Sequence, residues 1–591
     1  MRKNIRILTL TILVAAAFFT TGCDFFKKTN DGKVDLKWYM GLTYENENGE
    51  DVEYTVKSGD RVVAVALEDK YSDKFAIMKD VDVFVNIDTI KDNIDDRFYF
   101  DAKSEKLLFT NATTIYEMPL NENVVNDDNI EYTTCIKDNK QCYINIQLVK
   151  KFIDIDYKLS KAEDDKPALL SIRYRSGERN IMSTNDDIEM RTKGDYQNLI
   201  VTEIPEDTKV TVIETSKNWN KVRTENGYIG YVPVKKLDGE SKEEINFKND
   251  DDTYTHVTLD TKVSLAWNQI YNQTANNNLD ELVANTKGIN VISPTWFSLA
   301  DKNGNLSTLA DFNYVENAHK KGMQVWALVN DFADKKLTKK VLTSTALRKK
   351  LVNNIMYYLN SYELDGVNID FEYITEEIAD DYLQFLRELS IECRKAKKVL
   401  SIDNYAPAEW SKYYDRKQQL KIADYIIIMN YDEHTVGSDE AGSVSSLSYA
   451  EKSIKDTIEE TGDAERIING MPFYTRIWEM KSETEEDDGS GKLIEDAVNG
   501  NYYLSSSAVG MAKAENEYKD AGVKPAYDET TGQNFVTYAK GSSTYMIWLE
   551  DETSVAARLE LMNKYKLGGA AYWALGQEKD SIWKTISKYF K

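Results

Sequence analysis

The stretch Leu364-Asp365-Gly366-Val367-Asn368-Ile369-Asp370-Phe371-Glu372-Tyr373 reads as a buried strand that nevertheless carries acids. Side chains alternate across a strand with period two, so Val367, Ile369 and Phe371 face one way while Asn368, Asp370 and Glu372 face the other. In a sheet flanked by helices both faces normally read as apolar. Burying ionisable groups there carries a desolvation cost that packing alone does not require. The acid ladder therefore points to chemistry.

Geometry narrows which chemistry. Two residues of strand separate the Cα atoms of Asp370 and Glu372 by roughly 6–7 Å, with both side chains on the same side. They are neighbours, whereas a glycosidase working with two carboxylates needs them on opposite sides of the scissile bond. The nucleophile is then missing from the pair, and the acetamido oxygen of an N-acetylhexosaminide can supply it. One protonated carboxyl acts as general acid and the adjacent carboxylate supports the acetamido nitrogen. Two adjoining carboxylates also resist joint ionisation, so Asp370 helps to keep Glu372 protonated.

Working outward, eight short apolar runs start near Val263, Ile289, Gln324, Val367, Val399, Tyr425, Ile467 and Ala570. Most are separated by amphipathic stretches such as Glu376 to Lys398 and Thr553 to Leu567. Strand and helix alternate, which predicts an α/β chain ending in a parallel (β/α)8 TIM barrel. Working residues of that fold sit at the C-terminal ends of the strands. The connection from Tyr474 to Trp548 is too long for a simple loop; it holds acidic Glu483 to Asp488 and a hairpin-like Phe535 to Ile547.

Asp365-Gly366-x-Asn368-x-Asp370-x-Glu372 resembles the DGxDxDxE signature of glycoside hydrolase family 18, the chitinase-like family. Met429-Asn430-Tyr431-Asp432 is similar to its Met-x-Tyr-Asp motif on the sixth strand, and Gly569-Ala570-Ala571-Tyr572-Trp573-Ala574-Leu575-Gly576 resembles its eighth. The resemblance covers residues 256–591, with a small α/β insertion at about 478–546 forming one wall of the cleft. It implies a catalytic set of Glu372 as acid/base, Asp370 orienting the acetamido group and Tyr431 hydrogen-bonding its oxygen. Asp365, Asn368, Met429, Asp432 and Trp573 are implied to bind substrate, Trp573 as the floor under the distorted sugar. Asn368 departs from the signature, where an Asp shares a proton and charge with the next acid, and is expected to change the pH profile of Asp370 without removing the proton donor.

Upstream the chain is modular, since 591 residues exceed one core. Basic Met1 to Arg6, apolar Ile7 to Phe19 and small residues ending in Gly22-Cys23 read as an export signal, too short to span a membrane. The ending resembles a bacterial lipobox, although Thr20 stands where Leu is usual. It implies removal of residues 1–22, lipid on Cys23, a tether over 23–35 and an extracytoplasmic protein held to the cell membrane. Val83 to Lys91 with Ile94-Asp95, and Cys142 to Lys150 with Ile153-Asp154, repeat one another as a strand running into a short helix, followed by strands near Leu107 and Leu169. Residues 36–180 thus resemble the α+β repeats named after the copper amine oxidase N-terminal domain. Residues 185–240, with Trp219 to Arg223 and Gly227 to Val232, resemble the small bacterial SH3-like β-barrel.

Cys135 and Cys142 are close enough to close a hairpin with a disulfide, and Cys393 reads as a small buried hydrophobe. His256, His319 and His434 have no ligand spacing, so neither a metal nor another cofactor is expected. A formal net charge of −25 disfavours nucleic acid as a partner. The expected partner is a GlcNAc-containing polysaccharide, peptidoglycan ahead of chitin; a non-catalytic glycan-binding lipoprotein is the reading from another class.

Overall fold

The computed structural model describes residues 29–163, 166–248, 254–483, 491–496 and 500–590. The expected signal segment, Cys23 and most of the acidic run after Glu483 lie outside the described residues. Two compact units form: residues 29–89 with 143–248, and residues 90–142 with 254–590.

The second unit is built on eight parallel strands: β1 Val263–Asn268, β2 Val291–Pro294, β3 Gln324–Asn330, β4 Gly366–Asp370, β5 Val399–Tyr405, β6 Tyr425–Met429, β7 Ile467–Pro472 and β8 Gly569–Trp573. Each pairs in parallel with the next, and β8 pairs with β1, so the sheet closes. Closure explains why both faces of β4 are buried. Val367, Ile369 and Phe371 face the outer helices, where Phe371 stacks on Phe385 at 5.6 Å between ring centroids. The other face points into the barrel, whose floor is apolar: Trp326 stacks on Tyr425, with Leu265, Leu328 and Ile427 in the same cluster. At β8, Gly569 leaves no room for a side chain, because a Cβ there would meet the Val263 carbonyl oxygen at 2.0 Å.

The N-terminal rim of the barrel is stapled by residues that each precede an even-numbered strand. Asn290, Asp365 and Asp424 accept the backbone N–H groups of Ser264, Val325 and Leu400, each at 2.8 Å. Asp365 also pairs with His319 at 2.8 Å. This corrects its expected place among substrate-binding residues. The five residues of β4 carry the chain roughly 16 Å from Asp365 to Asp370, so the two acids of one motif occupy opposite ends of the barrel.

Between β7 and β8 the chain inserts an antiparallel sheet with strand order Lys492–Ile494, Tyr502–Gly510, Tyr474–Ser482, Ser543–Leu549, Gln533–Lys540, Ala526–Asp528, plus a helix at Met511–Asp520. The hairpin expected around Phe535 to Ile547 is present, with Val536 opposite Ile547. A fully buried pair ties the insertion down: Arg558 donates to both carboxylate oxygens of Glu550, at 2.6 and 2.9 Å.

Residues 90–142, expected as part of the repeat region, pack with the barrel. Their antiparallel strands Phe98–Asp101, Lys106–Thr110 and Ile115–Pro119 lie against helices Thr345–Ser361 and Ala379–Ala396. The first of these helices has no side-chain cap from its own N-cap, Ser344; Asp101 accepts the Thr345 N–H instead, at 2.8 Å. Burial would raise the Asp101 carboxyl, but hydrogen bonds from Ser104 and Thr345 outweigh it and hold it down at about 2. Buried Arg348 joins Glu388 at 3.0 Å and donates to the Tyr99 hydroxyl, which in turn donates to Asp381. Cys135 and Cys142 do not form the expected disulfide. They are buried thiols in hydrogen-bond contact, a separation longer than a covalent S–S bond allows, and that contact holds Cys135 below the ordinary thiol range.

The two repeats expected from the sequence show the same construction. Strand Asp82–Asn86 enters helix Ile87–Asn93, and strand Gln141–Asn145 enters helix Ile146–Phe152. Asn86 and Asn145 each accept the N–H two residues on, and the two strands pair antiparallel. Residues 177–245 form a seven-stranded antiparallel sheet in which Trp219–Thr224 pairs with Ile229–Pro233. Gly230 is required there, since a Cβ would press on Met190 at 2.5 Å.

Candidate active site

The C-terminal mouth of the barrel gathers the acids. Asp370 ends β4 with only 4% of its surface exposed, and one carboxylate oxygen, Oδ1, has no protein partner among the described residues. Every influence on it acts upward: burial first, then the charges of Asp403, Glu372 and Asp331, so its pKa stands well above the ordinary carboxylate range. Glu372 follows two residues later, partly open to solvent. Burial also raises its pKa, the hydrogen bond from Tyr405 opposes that, and Asp331 and Asp432 add to it. A carboxyl whose pKa is raised by burial while it faces an opening is suited to donate a proton.

Asn368 is fully buried beneath them. Its Oδ1 accepts the Trp267 indole N–H at 2.9 Å and the Ser293 hydroxyl at 3.3 Å. An indole nitrogen can only donate, which fixes the amide orientation. The Nδ2 group therefore faces Asp403 at 2.8 Å and Ser401 at 3.2 Å. The charge expected from an acid at position 368 comes instead from Asp403 on β5, whose own pKa is raised well above normal by burial, against the opposing Asn368 hydrogen bond.

Three functional positions escaped the sequence reading: Asp331, Asp403 and Tyr405. Asp331, just past β3, accepts the backbone N–H groups of Glu372 at 2.9 Å and Tyr373 at 3.1 Å and the Thr338 hydroxyl at 3.0 Å, which fixes the chain carrying Glu372. Its pKa is raised, burial outweighing these hydrogen bonds. Tyr405 at the end of β5 donates its hydroxyl to Glu372. The only signal that could have found them is position, since all three fall at the C-terminal ends of barrel strands.

The expected aromatic residues converge on the same mouth. Met429, Tyr431, Val444 and Tyr474 form a buried cluster, with Tyr405 and Trp573 packed against it. Burial raises the Tyr431 phenol well above its ordinary value, with Asp403 and Asp370 contributing, which keeps its proton available for donation. Asp432 adopts the left-handed backbone region at φ 59°, a conformation Asp tolerates better than most residues, and accepts the hydroxyl of Tyr474, the first residue of the insertion. Trp573 is half-buried and meets Trp267 edge-on at 5.7 Å. Of the residues singled out from sequence, the structure therefore brings together Asn368, Asp370, Glu372, Met429, Tyr431, Asp432 and Trp573, and separates Asp365.

The model of glycosyl hydrolases family 18 matches residues 228–578, more than half of the chain, and that of the bacterial SH3 domain matches residues 186–238. The chain belongs to glycosyl hydrolase family 18. It is 27% identical over 313 residues to the uncharacterized glycosylase YvbX of Bacillus subtilis, covering 51% of this chain and 84% of that one. It is 23% identical over 327 residues to the cortical fragment-lytic enzyme of Bacillus anthracis, covering 53% and 71%. Among solved structures it is similar to the spore cortex-lytic enzyme SleL of Bacillus megaterium (19% identity, TM-score 0.48, 59% of this chain and 77% of that one). It is also similar to a chitinase of Chromobacterium violaceum (19% identity, TM-score 0.47, 56% and 99%).

Proposed function

We propose that this protein hydrolyses β-1,4 bonds after N-acetylglucosamine with retention of configuration, the substrate's acetamido oxygen serving as nucleophile. The carrying observation is the placement of Glu372 and Asp370 on one side of one strand end, both with raised pKa values. Glu372 protonates the leaving oxygen, then deprotonates the water that opens the cyclic intermediate. Asp370 holds the acetamido N–H through its unpartnered oxygen, Tyr431 donates to the acetamido oxygen, Asp432 supports that contact with Tyr474, and Trp573 stacks under the sugar. Tyr405 and Asp331 position Glu372.

Peptidoglycan is the favoured polymer. The export signal, the lipobox-like Gly22-Cys23 and the SH3-like module fit an enzyme working beside its own wall, and one relative of similar sequence is named as a cortical fragment-lytic enzyme. Chitin oligomers offer the same acetamido chemistry and are the alternative, with a non-catalytic glycan-binding role as the reading outside enzymology. The test is digestion of purified peptidoglycan and of chitin oligomers, followed by NMR of the first-formed anomer and mass spectrometry of borohydride-reduced products. Retained configuration with GlcNAc at the new reducing end is expected. An inverted product refutes the acetamido mechanism; muramitol refutes the bond; turnover of chitin alone moves the substrate to chitin.

A further inference from the structure

In a chain of net charge −25, residues 335–350 carry seven basic residues and no acidic one. Arg348 turns inward to Glu388, and the other six are exposed lysines on the consecutive helices Lys335–Leu342 and Thr345–Ser361. Lys336, Lys339 and Lys340 share one helix face, being three and four residues apart. Together with Lys103, which reaches in from the Phe98–Thr110 hairpin and donates to Thr343, they line an open cavity of about 500 Å³. Lys339 is paired with Glu377 at 2.6 Å. Among the described residues, Lys103, Lys336 and Lys340 have no carboxylate within ion-pair distance, so at least three ammonium groups converge there uncompensated.

This cavity is coupled to the barrel mouth. The lysine-bearing helix starts five residues after the end of β3, and Thr338 in its middle donates to Asp331, which holds the backbone of Glu372. Phe332, next to Asp331 in sequence, and Tyr373, next to Glu372, are exposed and meet edge to face at 6.3 Å. The mouth itself is lined by Asp331, Asp370, Glu372, Asp403 and Asp432. A neutral polymer needs no cationic counterpart beside the mouth, whereas one bearing negative charge is drawn to such a cluster of lysines.

We propose that the lysine cavity binds carboxylate substituents of the same glycan strand whose acetamido sugars occupy the barrel mouth, so that the substrate is an acidic N-acetylated glycan and not a neutral one. The inference rests on the function proposed above and names the substrate's charge. The occupant is chosen by complementarity: several lysines in an open groove suit flexible, spaced carboxylates, each contact being weak and salt-sensitive.

The test uses the full-length chain and the triple variant Lys103→Gln, Lys336→Gln, Lys340→Gln, none of which touches the reacting atoms. Three substrates are compared: soluble peptidoglycan strands with their carboxylates free, the same strands with the carboxylates amidated, and neutral GlcNAc oligomers. The expected result is a KM about tenfold higher for the variant on free-acid strands, with kcat unchanged and no difference on the other two substrates. For the wild type, KM on free-acid strands should rise with added salt. An unchanged KM on free-acid strands overturns the proposal, as does an equal shift on neutral oligomers. Retention of the wild type but not the variant by a phosphodiester wall polymer, with strands unaffected, overturns it in favour of that polymer. Should neither protein cleave anything, the hydrolytic reading fails by itself, and calorimetric binding of free-acid against amidated strands to the two proteins still decides the lysine cavity.

Discussion

Replacing Glu372 with Gln isolates the proton-transfer step. The amide retains an oxygen that can accept the Tyr405 hydroxyl, and the backbone N–H of residue 372 stays bound to Asp331 at 2.9 Å. Volume and position are thus preserved, and what disappears is the transferable proton. General acid catalysis contributes about 10²- to 10⁴-fold, equivalent to about 3–5 kcal/mol of barrier at about 1.4 kcal/mol per decade. Because a proton donor acts only as the bond breaks, the loss belongs in kcat, with oligosaccharide affinity changed less than about threefold. Steady-state release of an aryl leaving group from an N-acetylglucosamine oligomer gives kcat, and calorimetry with a non-cleaved oligomer gives affinity. The pH profile supplies a second check. In the wild type, activity should fall as pH rises through the raised pKa of Glu372, and that alkaline limb should vanish from the residual activity of the variant. A kcat within about fivefold of wild type, or a loss confined to KM, refutes the assignment of Glu372.

Four further outcomes are expected. Asn368→Asp puts a carboxyl against Asp403 where an amide now donates at 2.8 Å, so the pair must share a proton; the activity profile should shift and stability should fall more steeply as pH rises from acid to neutral, read by thermal melts across that range. Asp403→Asn removes a group whose folded-state pKa lies above its unfolded value. The stability such a group confers is complete below the unfolded pKa and lost as pH rises through the folded one, so the variant should lose less stability on going from about pH 4 to neutral while the ionisation of Asp370 moves to lower pH, seen in melts and in the acid limb of kcat/KM. Arg558→Met leaves Glu550 buried without its bidentate partner and should cost about 3–5 kcal/mol in urea unfolding, far more than a surface substitution. Cys23→Ala should release the exported protein from membranes or stall its processing, and a wild-type protein found soluble with a different N-terminus would refute the lipid-anchor proposal.

Much of the barrel was legible in the sequence because its signals are long. Eight apolar runs separated by amphipathic helices state a parallel sheet before any site residue is considered, and all eight became strands at the expected places. The hairpin of the insertion was equally plain. Less legible was anything fixed by a single residue at a strand end. Asp331, Asp403 and Tyr405 have no spacing that marks them, and they meet Glu372 and Asp370 only because closure curls β3, β4 and β5 around one mouth. Asp365 failed for the converse reason, since adjacency within a motif suggests a shared task while a strand carries its ends apart. The packing of residues 90–142 with the barrel was hidden too, because the cap that Asp101 gives to Thr345 joins positions more than two hundred residues apart.

Asn368 shows how the fold itself decides what a substituted motif residue means. Read alone, the exchange of an expected acid for an amide suggests a weakened ladder. In the barrel, position 368 faces Trp267 on β1, Ser293 on β2, and Ser401 and Asp403 on β5. An indole N–H needs an acceptor and a buried carboxyl benefits from a donor, and an amide is the one side chain of this size that offers both at once. Asp at 368 accepts from Trp267 but opposes Asp403 unless a proton is shared; Leu at 368 leaves both partners unsatisfied, at about 1–3 kcal/mol for each buried polar group. The negative charge that raises Asp370 is thereby moved one strand over and remains beside it, as the first of the charges acting on that carboxyl. The proton donor at Glu372 is untouched by the exchange, because its own raised pKa depends on burial and on Asp331 and Asp432, with Tyr405 in opposition, and on nothing at position 368.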